Sequence, residues 1–165
     1  MTRPMSSNPT SVRCMLLPLT SLSLLIPNSA VAEIIGYSIP RQLSDTSEWF
    51  PGVVLWRGVY VPVVEVEKLC NLGVAQVGPR TRIAIIYNPE QDPEMPYIGI
   101  HMQDIPRAYL AEAESMETGN DDGLNPYLLT RVDDEQLARV IPDVDKIIDD
   151  LKLEFNQNRI EELTT

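Results

Sequence analysis

Apolar positions along the chain recur with a short period, and the densest run, residues 49–70, organises the rest. Outward from Gly52 it reads Val53, Val54, Leu55 and Trp56, then Arg57-Gly58, then a second run from Val59 to Val66 broken only by Tyr60, Pro62 and Glu65. Two β-branched and aromatic runs about a tight Arg-Gly corner predict a hairpin. Gly58 supplies positive φ there and leaves Arg57 at the rim, free to point outward. Pro62 has no N–H for a ladder, which places the second strand on an edge or at a bulge. A charged residue at the mouth of a rigid apolar hairpin reads as a recognition point; a solvated turn arginine is the plain alternative.

The same pattern extends in both directions. Leu17 and Leu19, then Leu22, Leu24 and Ile26, give two alternating runs offset at Thr20-Ser21, as a hairpin would. Asn28 or Ser29 is placed to cap one helical turn before Glu33, and a short element continues through 30–37. Residues 38–48 are polar and loop-like. Residues 66–72 have helix-compatible spacing that stops at Gly73, and 74–80 form a polar linker. Strands are expected at 82–87 and 97–102, with a further short one at 109–113. Residues 116–126 carry Gly, Asn, Asp and Pro in a run that predicts an acidic loop. Residues 127–141 read as a second hairpin turning at Asp133-Asp134. Pro142 then opens a helix, with Val144, Ile147, Ile148, Leu151 and Phe155 on one face.

Composition sharpens this picture. With 165 residues there is room for one domain or two small lobes, and 14 scattered prolines with 8 glycines favour many turns and a mainly β arrangement. The net charge of −11 is uneven: residues 1–58 hold 4 basic and 3 acidic side chains, leaving 9 and 21 for the remainder. No basic face exists to release counterions, so nucleic-acid binding is not expected. No stretch approaches a transmembrane length, so no direct membrane insertion is expected either. Cys14 and Cys70 fit no ligand spacing; two buried thiols are favoured over a disulfide.

The N-terminus has two readings. Arg3 and Arg13 precede an apolar run, and Ala30-Val31-Ala32 matches a signal-peptidase pattern, which implies a secreted β-rich binding protein cut after Ala32. Against that, Pro18, Thr20, Ser21, Ser23 and Pro27 interrupt the run. Removing it would also strand Cys70 alone in an oxidising compartment. Two folded strands are the favoured reading.

Chemistry finds little support. The chain has no nucleophile elbow, phosphate loop, dinucleotide fingerprint or zinc spacing. His101, the only histidine, lies in a strand with Asp104 nearby and reads as structural. Glu65 with Glu67, or the acidic run 112–122, could bind calcium but lacks the loop spacing, so solvated carboxylates are the better reading. No catalytic residue, cofactor or metal is assigned.

The order of segments LLPL, LLIPNSAVAEIIGY, WFPGVVLWRGVYVPVVEVEKL, RIAIIY, YIGIHMQDIPR and LTRVDDEQLARVIPDVDKII resembles the CheW-like coupling domain of bacterial chemosensory arrays, over roughly residues 13–151. The LLP, LLPN-like, VAE and WRG variants are similar to divergent members attached to type IV pilus (twitching motility) systems. The resemblance implies two intertwined five-stranded SH3-like β-barrels with a C-terminal helix, within a domain at 13–155. That domain would comprise subdomains at roughly 13–73 and 80–142, with strand exchange between them open, between a flexible 1–12 and a frayed 156–165. It implies a cytoplasmic, non-catalytic adaptor without cofactor, whose partners are a chemoreceptor cytoplasmic tip and a histidine kinase regulatory domain. By position the receptor groove would include Val31, Glu33, Ile34, Trp56, Arg57 and Gly58, with Glu33 and Arg57 able to pair. The sequence departs from the family at Thr20-Ser21, which lacks a glycine, at Leu55-Trp56, where Asn-Leu is usual, and at residues 132–135, where glycine-rich turns are common.

Overall fold

Alternating, β-branched runs joined by turn residues fold into ten strands in the computed structural model, which describes residues 11–112, 125–133 and 138–163. The strands are β1 (Ser11–Pro18), β2 (Ser23–Pro27), β3 (Val31–Gly36), β4 (Gly52–Trp56), β5 (Val59–Val64), β6 (Arg82–Tyr87), β7 (Tyr97–Met102), β8 (Arg107–Glu112), β9 (Leu128–Asp133) and β10 (Ala138–Pro142). Two short helices, α1 (Val66–Leu69) and α2 (Val144–Lys152), follow β5 and β10. The strands make two five-stranded sheets, ordered β8-β1-β2-β10-β9 and β3-β6-β7-β5-β4.

The two sheets share one plan. In each, an antiparallel hairpin (β1–β2, β6–β7) gains an outer antiparallel strand (β8, β3), pairs in parallel with a later or earlier strand (β10, β5), and ends in a second hairpin partner (β9, β4). The expected mainly-β fold of two five-stranded units is therefore present, although backbone pairing leaves both sheets open rather than closed as barrels. The sheets also ignore the halves of the chain. One takes residues 31–102 whole; the other takes 11–27 and 107–142, so a division near residues 73–80 falls inside the first sheet. The parallel pairings responsible join distant segments and leave no period in the sequence.

Burial follows from this layout. The main core lies between the sheets and under α2, with Leu17, Leu24, Phe50, Val64, Ile98, Met102, Ile147 and Leu151 all fully buried. A second cluster (Val54, Trp56, Val61, Val63, Ile83, Ile85) lines the far face of one sheet, and a third (Cys14, Leu16, Leu25, Ala111) that of the other. The thiols thus sit in different cores and are free; burial pushes the Cys70 thiol up to about 11 and Cys14 upward as well.

The segment that imitates a signal peptide is β1 and β2, paired Leu17 to Leu24 at the middle of a sheet. A cut after Ala32 would split β3 and remove two strands. The Thr20-Ser21 turn closes with Leu19 N–H donating to the Leu22 carbonyl at 2.8 Å. Glu67, only 1% exposed, accepts from the Thr20 N–H and hydroxyl, tying this turn to α1.

Several expectations change. β5 is an interior strand, not an edge. Pro62 is tolerated because its partner Val53 directs its own N–H and C=O away, to Arg41, and because the β7 ladder begins only at Val63. The N-terminal strand starts at Ser11, inside the stretch expected to be flexible. α1 ends at Leu69 rather than at residue 72, since Asn71 turns the chain with φ 54°. Pro142 closes β10, and α2 begins beyond it, capped by Asp143, whose carboxylate accepts from the Lys146 N–H at 3.1 Å. The tail expected to fray holds a 3-10 helix, Gln157–Leu163, because Ile160 and Leu163 pack on the main core and Arg41 donates to the Leu163 carbonyl. The acidic run at 116–126 lies outside the described residues except for Asn125 and Pro126, as does Asp134 of the second hairpin turn.

Candidate functional site

The hairpin corner is built by a two-residue loop between the paired Trp56 and Val59. Both loop residues have positive φ, 48° at Arg57 and 77° at Gly58. A mirror-image turn of this kind matches the twist of its strands but suits Asn-Gly or Gly-Gly. Arginine there is strained, because its Cβ crowds the backbone.

The side chain is nevertheless held. Its guanidinium lies 4.9 Å from the centroid of the Trp56 ring and 3.8 Å from a carboxylate oxygen of Glu33, while remaining 71% exposed. The Trp56 indole N–H donates to the same Glu33 carboxylate. Glu33 is on β3 and Trp56 on β4, the two opposite edges of their sheet. The sheet therefore curls until its edges meet, and side chains bridge the seam that no backbone ladder closes. An exposed ion pair contributes about 0–1 kcal/mol and a cation–π contact about 0.5–1 kcal/mol, enough to orient the guanidinium but little for the fold.

Of the six residues expected to share a groove, Glu33, Trp56, Arg57 and Gly58 come together at this seam. Val31 and Ile34 do not join them: both pack against the main core, while Ala32 and Ile35 face the second cluster with Trp56. A bulge between Val31 and Glu33 is the cause, since the extra residue lets Val31 and Ile34 share a face across an odd spacing. The candidates thus occupy both faces of one edge strand.

Aromatic residues too scattered along the sequence to assign to one groove extend the seam. Tyr97 meets Trp56 edge to face with centroids 4.9 Å apart, and Tyr87 lies 5.7 Å from Tyr97. Trp49 and Tyr60 pack on the main core. Tyr97 reaches Trp56 only through the register of β4, β5 and β7, which no local signal encodes.

The buried titratable groups away from the seam pack within the fold. His101 is 4% exposed, its Nδ1 3.8 Å from Glu65 and its ring 5.1 Å from Tyr37, while Asp104 pairs with Arg80 at 2.7 Å. Burial raises the Glu65 carboxyl, but His101 and Lys68 outweigh it and hold it below the ordinary value. Glu65 and Glu67 are thus engaged by protein groups. Among the described residues, no three His, Cys, Asp or Glu side chains cluster to hold a metal ion, and no helix is long and apolar enough to cross a membrane. What the seam offers is a rigid aromatic platform with one oriented cation and a neighbouring carboxylate, an arrangement suited to recognition.

Comparison with known proteins adds two findings. A protein family described as the CheW-like domain matches residues 13–152. The crystal structure of the scaffolding protein TtCheW from Thermoanaerobacter tengcongensis is similar with a TM-score of 0.70, covering 86% of this chain and 90% of that one at 14% identity, a likeness of fold. No curated protein matches the sequence.

Proposed function

The chain belongs to the CheW-like domain family, and from that premise we propose that it is a non-catalytic, cytoplasmic adaptor that couples a chemoreceptor to a histidine kinase. The observation that carries the docking assignment is the Arg57 side chain, strained in its turn yet oriented by Trp56 and Glu33 and left exposed. A receptor tip would meet Arg57, Gly58, Trp56 and Glu33 on one side of the β3 edge, and Val31 and Ile34 on the other. The narrower assignment, to a type IV pilus system, rests on the LLPL, NSAVAE and WRG variants of the sequence. The kinase regulatory domain would engage a separate surface.

The test is recruitment in native cells. A fluorescent fusion of the wild-type chain is expected at receptor clusters, with receptor and kinase recovered together on affinity capture. Arg57→Glu is expected to disperse it. Unchanged clustering by a folded Arg57→Glu chain would remove the corner from the receptor site, and capture of a kinase-free assembly would remove the coupling role.

A further inference from the structure

The edge strand β4 reads Gly52, Val53, Val54, Leu55 and Trp56, with no charge, no proline and no bulge to blunt it. An apolar edge of this kind pairs with other chains unless something covers it. Its cover is the loop that precedes it. The Arg41 N–H donates to the Val53 carbonyl at 2.8 Å, and the Val53 N–H donates to the Arg41 carbonyl at 2.9 Å. The approach is close, since a Cβ on Gly52 would lie 2.2 Å from the Arg41 carbonyl oxygen. Outward-facing backbone groups recur at every second residue of a strand, so those of Leu55 point the same way as those of Val53. Among the described residues no strand or bridge partner stands opposite Leu55 on that side, and its side chain is 61% exposed.

The loop is held in turn by the C-terminal 3-10 helix. The Arg41 guanidinium donates to the Leu163 carbonyl at 2.7 Å. Glu162 accepts from the Ser44 N–H at 3.0 Å and from its hydroxyl at 2.9 Å, while Arg159 donates to the Ser44 carbonyl. Leu43, between these two grips, belongs to the core cluster on which Ile160 and Leu163 pack. Yet no residue of the 3-10 helix is fully buried, and each of these hydrogen bonds is exposed. Segments held in this way open locally, at a free energy well below that of the whole fold.

We propose that the tail is a latch on the β4 edge, and that its release lets β4 pair antiparallel with β4 of a second copy of this chain. The outward groups of Val53, which Arg41 then relinquishes, and those of Leu55 lie two residues apart. A two-fold axis at Val54 therefore sets Val53 of each copy opposite Leu55 of the other, and all of these groups are satisfied at once. Self-association is thereby tied to the state of the tail. The proposal does not rest on receptor docking.

The test uses the full chain. Glu162→Ala removes the acceptor of Ser44, and Ile160→Asp combined with Leu163→Asp sets a charge at each apolar anchor of the tail. In analytical ultracentrifugation the double variant should dimerise at least about 10-fold more tightly than wild type, because a larger fraction of it is open, and Glu162→Ala should move in the same direction. Amide exchange on the same samples should show Arg41, Ser44 and Val53 losing protection together. Glu162 lies on the exposed side of the tail, so its substitution keeps the test valid even if the double variant does not fold. Leu55→Lys, added to either variant, should restore the monomer, since a lysine on an edge strand blocks pairing. Val53 protection equal to wild type in the folded variants, folded variants that associate no more tightly than wild type, or a dimer indifferent to Leu55→Lys would each overturn the proposal.

Discussion

Replacing Arg57 by Asn separates strain from recognition at the hairpin corner. Arg57 adopts φ 48° in a two-residue turn, a region that costs an ordinary L-residue about 1–2 kcal/mol and that Asn tolerates better. The change should recover roughly 0.5–1 kcal/mol of that strain. It also removes the cation over Trp56, about 0.5–1 kcal/mol at an exposed site, and an ion pair to Glu33 whose partner is 71% exposed, a few tenths at most after solvent screening. The contributions nearly cancel, so Arg57→Asn should fold with a stability within about 1 kcal/mol of wild type, a Tm change of roughly 2–5 °C. If the proposed docking holds, receptor binding should instead fall by about 2 kcal/mol, some 30-fold, because an oriented arginine at the proposed interface is lost. Thermal melting and a binding isotherm against the receptor's cytoplasmic fragment measure the two effects on one sample. A Tm drop beyond about 10 °C with binding intact would refute the reasoning, since Arg57 would then be a structural residue.

Three further outcomes follow from the geometry. Leu17→Asp or Leu24→Asp, each at a position with no exposure in the middle of a sheet, should abolish the native circular dichroism, because an unpaired buried charge costs several kcal/mol, on the order of total stability; a native-like spectrum with unchanged melting would contradict the placement of β1 and β2. Glu67→Ala removes the acceptor of the Thr20 N–H and hydroxyl and should cost about 2 kcal/mol in urea unfolding, and a loss below about 0.5 kcal/mol would show that water replaces it. The backbone N–H of Ser44, then Arg159 and the Ser44 hydroxyl, hold the Glu162 carboxyl down to about 2, below its unfolded value of 4.5. A depressed carboxyl stabilises docking of the C-terminal 3-10 helix above the unfolded value and loses that effect as pH falls through the folded one. The Ser44 amide resonance should therefore hold its position at pH 5 and shift as pH approaches 2; a shift complete by pH 4 would contradict this.

What could be read from sequence was whatever is local. The corner at Arg57-Gly58 and the alternation of Leu17, Leu24 and Ile26 announce their hairpins, because turn chemistry and side-chain period act over a few residues. The face on which Pro62 lacks its N–H is not local. It depends on where the parallel β7 ladder begins, and the chain gives no sign of that pairing. The seam is harder still. Glu33 reaches Trp56 only because a sheet with β3 and β4 at its edges curls, and Val31 joins Ile34 only because a bulge inserts Ala32. A sequence cannot signal a bulge whose extra residue is an ordinary alanine. The family resemblance did group these positions, but it placed on one surface residues that the strand distributes over two.

That distribution bears on how an open sheet can serve as a docking element. An unpaired edge strand is a template for unwanted pairing, and proteins blunt such edges with charges, bulges or covering side chains. The β3 edge has a bulge at its start, a carboxylate at Glu33 and an arginine reaching over from β4. Under the proposed docking these same features would discriminate among partners, since a segment approaching the edge would have to match a cation and a carboxylate at fixed positions while its apolar groups meet Val31 and Ile34. Protection of the edge and selection of the partner would then be two consequences of one arrangement. On that reading an arginine is favoured at the strained turn because a residue better suited to the turn, such as Asn, is too short to reach Glu33 across the seam.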